Sequence, residues 1–321
     1  RSLRVPCTIF PPRIAERPQL LPFAPPIVRE RFQSFSGPTA MMEASVVVTR
    51  GDPLPDGPAP VRIAGELSFT DGQASYASFP YPIHRMAGRV RFDDEAIHID
   101  EITGVAPTGA TLRATGVIAP PVEGAEVAID IVIDKVPLDD AFNAAMPASR
   151  ADLLGALFNK AAEAELRARG LLPDAFTLGG VGTLDIAVRR ALGHDSRWLW
   201  NAVLTLPEAG LLVERFPYPA IARNAVVRVW DDRAQADIPD IRPAVGPQGP
   251  RGRGHADLHA EITLHDERGE SVFQPTIVVR AEGIAIDERL LHALPGAFDT
   301  TGDRTTPQML RDLALAGNVR T

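Results

Sequence analysis

The residues best suited to hold a metal ion lie close together at His255, Asp257 and His259. Alternate residues of a β-strand project from one face, so two imidazoles and a carboxylate would supply the nitrogen and oxygen ligands that zinc accepts. The residues between and around them, such as Ala256 and Leu258, are apolar, which is the pattern of a strand with one solvated face. Two arginines just upstream oppose a cation. We therefore predict a solvated strand face here and no metal site.

Pairs of adjacent carboxylates are the next groups that could do chemistry, one as acid and the other as base. Asp93-Asp94 recurs as Asp231-Asp232, and Asp139-Asp140 recurs as Asp287-Glu288. Each pair falls at a turn or at the start of a helix, where an aspartate accepts hydrogen bonds from backbone N–H groups. These positions predict a structural role for the carboxylates.

The motifs of several enzyme classes are absent from the chain: the nucleophile elbow, the zinc-protease helix, the phosphate-binding loop and the dinucleotide fingerprint. A glycine-rich stretch at 243–254 could cradle an anion but is more typical of a hairpin loop. The single cysteine, Cys7, has no partner for a disulfide and no neighbouring histidine or lysine to activate it. We predict that the protein is not an enzyme and uses no cofactor.

Charge and composition exclude further classes. The 33 basic and 41 acidic residues give a net charge of −8, which disfavours nucleic acid as a partner because phosphates require clustered positive charge. A hydrophobic content of 45% with 23% charged residues is ordinary for a chain that folds around an apolar core. The 26 glycines and 30 prolines favour many short strands separated by turns.

An internal repeat organises the chain. The sequence Phe-Pro-Tyr-Pro at 79–82 recurs at 216–219, an offset of 137, and apolar residues on both sides match at similar offsets. Within each copy, apolar residues alternate with polar ones, as at 61–69, 127–133 and 255–265, which is typical of strands with one dry face. Turns are expected at Asp71-Gly72, Asp93-Asp94, Asp231-Asp232 and Arg268-Gly269. The pattern predicts a mainly β fold made of two tandem antiparallel meanders of about seven strands each.

One helix is predicted between the copies, at about 150–169, with Ser149 as its N-cap and Gly170 as the residue that ends it. Its apolar stripe predicts that it caps the sheet. The predicted organisation is a tail of a preceding unit (1–36) with a short helix at 26–35, then repeat 1 (37–148), the connecting helix (149–172), repeat 2 (173–297), and a linker with the start of a possible third unit (298–321). The start without methionine and the possible third unit lead us to expect a segment of a longer array.

Several strand motifs together resemble a known family. They are G-Q-A-S-Y-A-S-F-P-Y-P-I at 72–83, G-R-V-R-F-D-D at 88–94, I-H-I-D-E-I-T-G at 97–104, L-R-A-T-G-V-I at 112–118 and V-P-L-D-D-A-F at 136–142. This series is similar to AsmA-like and TamB-like proteins, which belong to the repeating β-groove, or bridge-like, lipid-transfer proteins. The resemblance runs from about Phe35 to Pro295 in two passes.

The resemblance implies an elongated, taco-like groove whose apolar inner face carries phospholipid acyl chains. It also implies a role in membrane biogenesis on the periplasmic side of the bacterial envelope, an anchor in a membrane through parts outside this segment, and end-to-end contact with further repeats. The family's N-terminal membrane helix has no counterpart in this sequence. A β-sandwich binding or adhesion module without lipid is the alternative, because strands with one apolar face can also close against a second sheet.

The apolar strand positions predict which residues would line such a groove. They are Val46, Val48, Ile63, Leu67, Ile129, Ile131 and Ile133 in the first copy, and Leu184, Ile186, Leu204, Leu258, Ile262, Ile277 and Val279 in the second.

Overall fold

The protein is mainly β in the computed structural model, as the alternation predicts. The structure describes residues 2–9, 35–51, 60–77, 79–146, 155, 157–214, 216–244, 254–265, 268–294 and 318–320. The predicted short helix at 26–35 lies outside these residues, except for Phe35, and so does the predicted N-cap Ser149.

Fourteen strands and three short helices make up the described chain. The strands are β1 (Ser2–Ile9), β2 (Phe35–Arg50), β3 (Val61–Tyr76), β4 (Phe79–Phe92), β5 (Ile97–Val105), β6 (Thr111–Ala119), β7 (Glu126–Pro137), β8 (Gly179–Arg190), β9 (Trp198–Val213), β10 (Phe216–Trp230), β11 (Arg233–Pro243), β12 (His255–His265), β13 (Ser271–Ala285) and β14 (Asn318–Arg320). The helices are α1 (Asp140–Ala145), α2 (Lys160–Ala168) and α3 (Glu288–Ala293).

The chain divides into two compact units. Unit 1 holds residues 1–136 and 183–202, and unit 2 holds residues 137–182 and 203–321, so β8 and β9 contribute to both. Antiparallel pairing joins each strand to the next along the chain from β1 to β7 in unit 1. The same pairing joins β10 to β14 in unit 2. Each of these runs of strands is therefore a meander.

The number of strands in each predicted copy differs from the expectation of about seven. Residues 37–148 hold six described strands, β2 to β7, and residues 173–297 hold six more, β8 to β13. In both ranges the Phe-Pro-Tyr-Pro sequence begins the third strand, and a short helix follows the sixth. The order of strands and helices is therefore the same in both ranges, which the predicted repeat requires. The repeat and the third unit stay predictions.

The turn predicted at Asp71-Gly72 is wrong. Asp71 and Gly72 lie inside β3, where the register with β4 shifts between Phe69 and Gly72. Asp71 takes a φ of +52°, a conformation that aspartate tolerates better than most residues. The polar Asp-Gly pair therefore makes an irregularity within one long strand, and no hairpin forms there.

The other acidic and glycine turns are confirmed. Asp93 Oδ1 accepts hydrogen bonds from the backbone N–H groups of Glu95 (2.8 Å) and Ala96 (2.9 Å) between β4 and β5. These bonds favour the charged carboxylate and hold the pKa of Asp93 below its usual value. The residues Asp231-Asp232 and Arg268-Gly269 lie between β10 and β11 and between β12 and β13.

Two glycine–phenylalanine pairs shape the apolar face of β3 and β4. Gly65 lies opposite Phe92, and Phe69 lies opposite Gly88. A Cβ on Gly65 would stand 2.7 Å from Cζ of Phe92, and one on Gly88 would stand 2.8 Å from Cζ of Phe69. Each ring therefore lies over the bare backbone of its glycine, so a larger residue at either glycine would displace the ring.

The connecting helix is shorter than predicted. Phe158 forms a β-bridge with Leu212, so a continuous helix from 150 to 169 is wrong, and α2 begins only at Lys160. The Asn159 side chain accepts a hydrogen bond from the N–H of Ala162 at 3.0 Å and caps the helix. Gly170, with a φ of +68°, follows the helix as predicted.

Helix α2 caps strands of unit 2, which confirms its predicted role. Leu166 is almost completely buried against Leu212 of β9, together with Phe176 from the loop that follows the helix. Ile221 of β10 packs on the same cluster. Helix α3 packs in the same unit, where Leu290 and Ala293 contact Tyr218 of β10.

The cap at Asn159 should set the start of α2. Asn159→Ala removes the acceptor for the Ala162 N–H, and we expect the free energy of unfolding to fall by about 1 kcal/mol. Asn201→Ala, at an exposed position of β9, is the matched control and should change it by less than about 0.5 kcal/mol. Urea unfolding followed by circular dichroism would measure both, and equal effects would refute the capping role.

Candidate functional site

Unit 1 carries a continuous apolar face from β2 to β7. Three rows of directly paired residues cross these six strands, and every residue in the rows is apolar or glycine. The rows are Val46–Gly65–Phe92–Ile97–Ile118–Val127, Ala44–Leu67–Val90–Ile99–Gly116–Ile129 and Met42–Phe69–Gly88–Ile102–Ala114–Ile131. With strands about 4.8 Å apart, each row extends about 24 Å across the sheet. This set of residues is called the unit 1 apolar face below.

Unit 2 has a corresponding surface on β10 to β13, which we call the unit 2 apolar face. Its rows are Val229–Ala234–Ile262–Pro275, Val227–Ala236–Ala260–Ile277 and Ala222–Ile241–Ala256–Ala281, with Ile238–Leu258–Val279 between the last two. Alanines dominate its inner positions, and most of these alanines are buried. The more exposed members lie on β13, where Ile277 is 58% exposed and Val279 is 52% exposed.

The predicted groove residues fall into three classes of exposure. The exposed ones are Ile63, Ile277 and Val279, and the buried ones are Ile133, Leu184 and Leu204. The half-buried ones are Val46, Val48, Leu67, Ile129, Ile131, Ile186, Leu258 and Ile262. The unit 1 apolar face includes four of the predicted residues: Val46, Leu67, Ile129 and Ile131. Two further pairs lie beside its outer rows, Val48 with Ile63 and Leu112 with Ile133. In unit 2, Leu258, Ile262, Ile277 and Val279 belong to the unit 2 apolar face.

Sequence analysis missed the apolar residues of β4 and β5, among them Val90, Phe92, Ile97 and Ile99. Their alternation is visible in the sequence, but in β5 it changes phase between Ile99 and Ile102, where the register with both neighbouring strands shifts. A search for short alternating stretches on either side of such shifts would have found them.

The opposite face of unit 1 is charged and paired. Arg89 and Glu66 lie on neighbouring strands with Nε and Oε1 3.3 Å apart, and Arg113 lies 3.2 Å from Glu101 in the same way. Asp130 pairs with Arg189 of β8. The sheet is therefore two-sided, with apolar side chains on one surface and cross-strand ion pairs on the other.

The candidate metal ligands His255, Asp257 and His259 lie on β12, and the side chains of Asp257 and His259 bind neighbouring side chains. His259 Nδ1 is 2.7 Å from Asp237 Oδ1, its Nε2 is 3.6 Å from Glu261 Oε1, and Asp237 also accepts a hydrogen bond from Arg228 at 2.8 Å. Asp257 pairs with Arg280 at 3.7 Å. Within the described part of the chain, no group of three His, Cys, Asp or Glu side chains is arranged to hold a metal.

These contacts shift two pKa values in unit 2. The hydrogen bond to Asp237 raises the pKa of His259 above its usual value. The same bond, joined by Arg228, lowers the pKa of Asp237. Both side chains are partly exposed to solvent, and with Arg228 they make a cross-strand charge network between β10, β11 and β12.

The repeated Phe-Pro-Tyr-Pro sequences place a buried tyrosine near the start of β4 and of β10. The Tyr81 hydroxyl lies 2.7 Å from the hydroxyl of Thr108 in the turn after β5. Tyr218 packs against α3, and burial raises its pKa to about 12. A phenol with so high a pKa stays neutral near pH 7, which suits a packing role.

A small cavity of about 220 Å³ lies in unit 2 beside α2 and α3. Glu165, Glu214 and His292 line it, and His292 Nε2 lies 3.8 Å from Glu165 Oε1. Its volume is below the roughly 300 Å³ at which pockets for small molecules begin.

No helix among the described residues is long and apolar enough to cross a bilayer.

Stability should depend on pH through His259. Its pKa is raised on folding, so its contribution is complete below the unfolded value of about 6.5 and disappears as the pH rises through the folded value. Asp237 has a lowered pKa, so its contribution disappears only as the pH falls below about 4. We therefore expect the wild type to exceed His259→Gln in thermal stability at pH 5 by more than at pH 9. An equal difference at both pH values would refute the charge network.

Comparison of the chain with family models, curated proteins and solved structures finds no match.

Proposed function

We propose that this protein binds phospholipid or another acyl lipid along its apolar sheet faces, as a segment of a protein for lipid transport and membrane biogenesis in the bacterial envelope. The envelope and the transport role follow from the resemblance of the strand motifs to AsmA-like and TamB-like proteins. The apolar sheet faces support the binding itself.

The observation that carries the proposal is the unbroken unit 1 apolar face. Its three rows cross six strands without a polar side chain, and many of its residues are only half buried. An acyl chain binds by burying apolar area, at about 0.8 kcal/mol per methylene, and needs no directional contact. A long surface of this kind, with no hydrogen-bonding group in it, suits a hydrocarbon chain better than a polar ligand.

The alternative, a β-sandwich module, requires a second sheet to close over the apolar face. From β1 to β7 each described strand of unit 1 pairs with the next one in the chain, without the break that would separate two sheets. This continuous pairing favours a lined face over a sandwich core.

The test compares two carboxylates placed one residue apart on β7. Ile131 lies on the unit 1 apolar face, whereas Val132 projects to the charged face, where it pairs with Arg113. Ile131→Glu puts an unpaired carboxylate in the path of an acyl chain, and Val132→Glu puts one beside a guanidinium. We expect Ile131→Glu to weaken uptake of a fluorescent phospholipid from vesicles by about fivefold, the equivalent of one or two lost methylene contacts. Val132→Glu should leave uptake unchanged.

A second pair of variants, in unit 2, provides an independent test if the unit 1 variants do not fold. Ile262→Glu changes the unit 2 apolar face, and Thr263→Glu changes the opposite face, opposite Arg233. Circular dichroism and thermal unfolding identify the folded variants. Folded apolar-face variants that take up lipid as the wild type does would refute the proposal, as would a wild-type protein that takes up none.

A further inference from the structure

Arg190, the last residue of β8, lies on a different face of the sheet from the paired arginines of unit 1. Arg89, Arg113 and Arg189 each pair with a carboxylate on the charged face. Since neighbouring residues of a strand project to opposite faces, Arg190 projects to the same side as the unit 1 apolar face. The Nη1 group of Arg189 donates a hydrogen bond to the Ile129 carbonyl at 2.7 Å. The end of β8 therefore lies beside the apolar row that Ile129 ends.

The charge of Arg190 has no counter-ion in the described part of the chain, where no carboxylate forms an ion pair with it. Its Nη2 group lies 3.3 Å from the Gly193 carbonyl oxygen and 3.5 Å from that of His194, and its Nε group is buried without a hydrogen-bond partner. A guanidinium stays charged in proteins, and a partly buried charge without a partner is costly. This position therefore favours an anion supplied by a ligand.

The indole of Trp198, the first residue of β9, supports the guanidinium. Cζ of Arg190 lies 5.3 Å from the ring centroid, within the range of a cation–π contact. A guanidinium stacked on a ring keeps its N–H groups in its own plane, as a fork that matches the oxygens of a phosphate. Tryptophan is also enriched where hydrocarbon meets lipid head groups, because its ring is apolar and carries one N–H. The Arg190–Trp198 pair thus has the chemistry of a head-group site.

We propose that Arg190 binds the phosphate of a phospholipid whose acyl chain lies along the row that ends at Ile129. This inference rests on the proposed lipid binding and adds a preference to it. A lipid that carries a phosphate should bind better than an uncharged lipid with the same acyl chains, because only the first supplies the anion.

The row is long enough for one acyl chain. Half of the hydrocarbon core of a bilayer is about 15 Å thick, which equals about three strand spacings of about 4.8 Å. From Ile129 such a chain would cover Gly116 and Ile99 and reach Val90 on β4. The phosphate then stays at the Arg190 end, and the chain lies over apolar residues and glycine.

The test removes the charge of Arg190 in two ways, with glutamine and with methionine, so that one folded variant is sufficient. Arg113→Gln is the matched control, because it removes the same charge from the opposite face, where Arg113 pairs with Glu101. Uptake is measured for fluorescent phosphatidylglycerol and for fluorescent diacylglycerol with the same acyl chains. Both are offered in vesicles of an uncharged galactolipid, which contain no competing phosphate.

We expect the wild type and Arg113→Gln to take up phosphatidylglycerol about tenfold better than diacylglycerol, the effect of one charge-assisted hydrogen bond. Arg190→Gln and Arg190→Met, if folded by circular dichroism, should lose this preference and still take up diacylglycerol as the wild type does.

Two results would overturn the role of Arg190 and leave the lipid binding of the apolar face intact. They are a wild type that takes up both lipids equally, and folded Arg190 variants that keep the preference. Uptake of neither lipid by the wild type would refute both proposals.

Discussion

The structure depends on keeping the alternation of apolar and polar residues in phase from strand to strand. A shift of one residue in any pairing would turn the apolar residues of that strand to the opposite face. Strand β5 shows how the phase is corrected. Ile99 and Ile102 both lie in the apolar rows, although three positions separate them, because the register shifts between them. Without that shift, Glu101 would project into the apolar face and Ile102 into water.

The charged face protects the same register. Ion pairs such as Arg89–Glu66 and Arg113–Glu101 are exposed, and each stabilises the fold by only about 0–1 kcal/mol. Their larger effect is on alternative registers, since a slipped strand would bring carboxylates and guanidinium groups among apolar side chains without partners. The pairs contribute more to the choice of register than to stability.

Sequence alone could predict the strands in which alternation runs without interruption, such as β12, and the aspartates that cap turns and helices, such as Asp93 and Asp139. It could not predict where long-range contacts override local pattern. Phe158 has the periodicity of a helical residue, but its bridge to Leu212 ends that pattern. Asp71-Gly72 has the composition of a turn, but the residues on either side of it pair with β2 and β4, so the strand continues through it. The full apolar face was underestimated for the same reason, because register shifts are set by neighbouring strands.

Exposure along the apolar faces indicates where the proposed lipid would first make contact. In unit 1 the exposure rises from buried residues of the face such as Val127, 2% exposed, to Ile63 on β3, which lies beside the face and is 45% exposed. In unit 2 it changes from the buried Ala236 on β11 to Ile277 on β13. Attraction between hydrocarbon groups is proportional to the area they remove from water, so the exposed positions contribute most at first contact. The inner positions are already partly covered by their neighbours in the sheet, so a chain lying over them removes less additional apolar area from water. Binding would therefore be strongest on β3 and β13, and because it has no directional contact, it would distinguish only weakly between acyl chains of similar length.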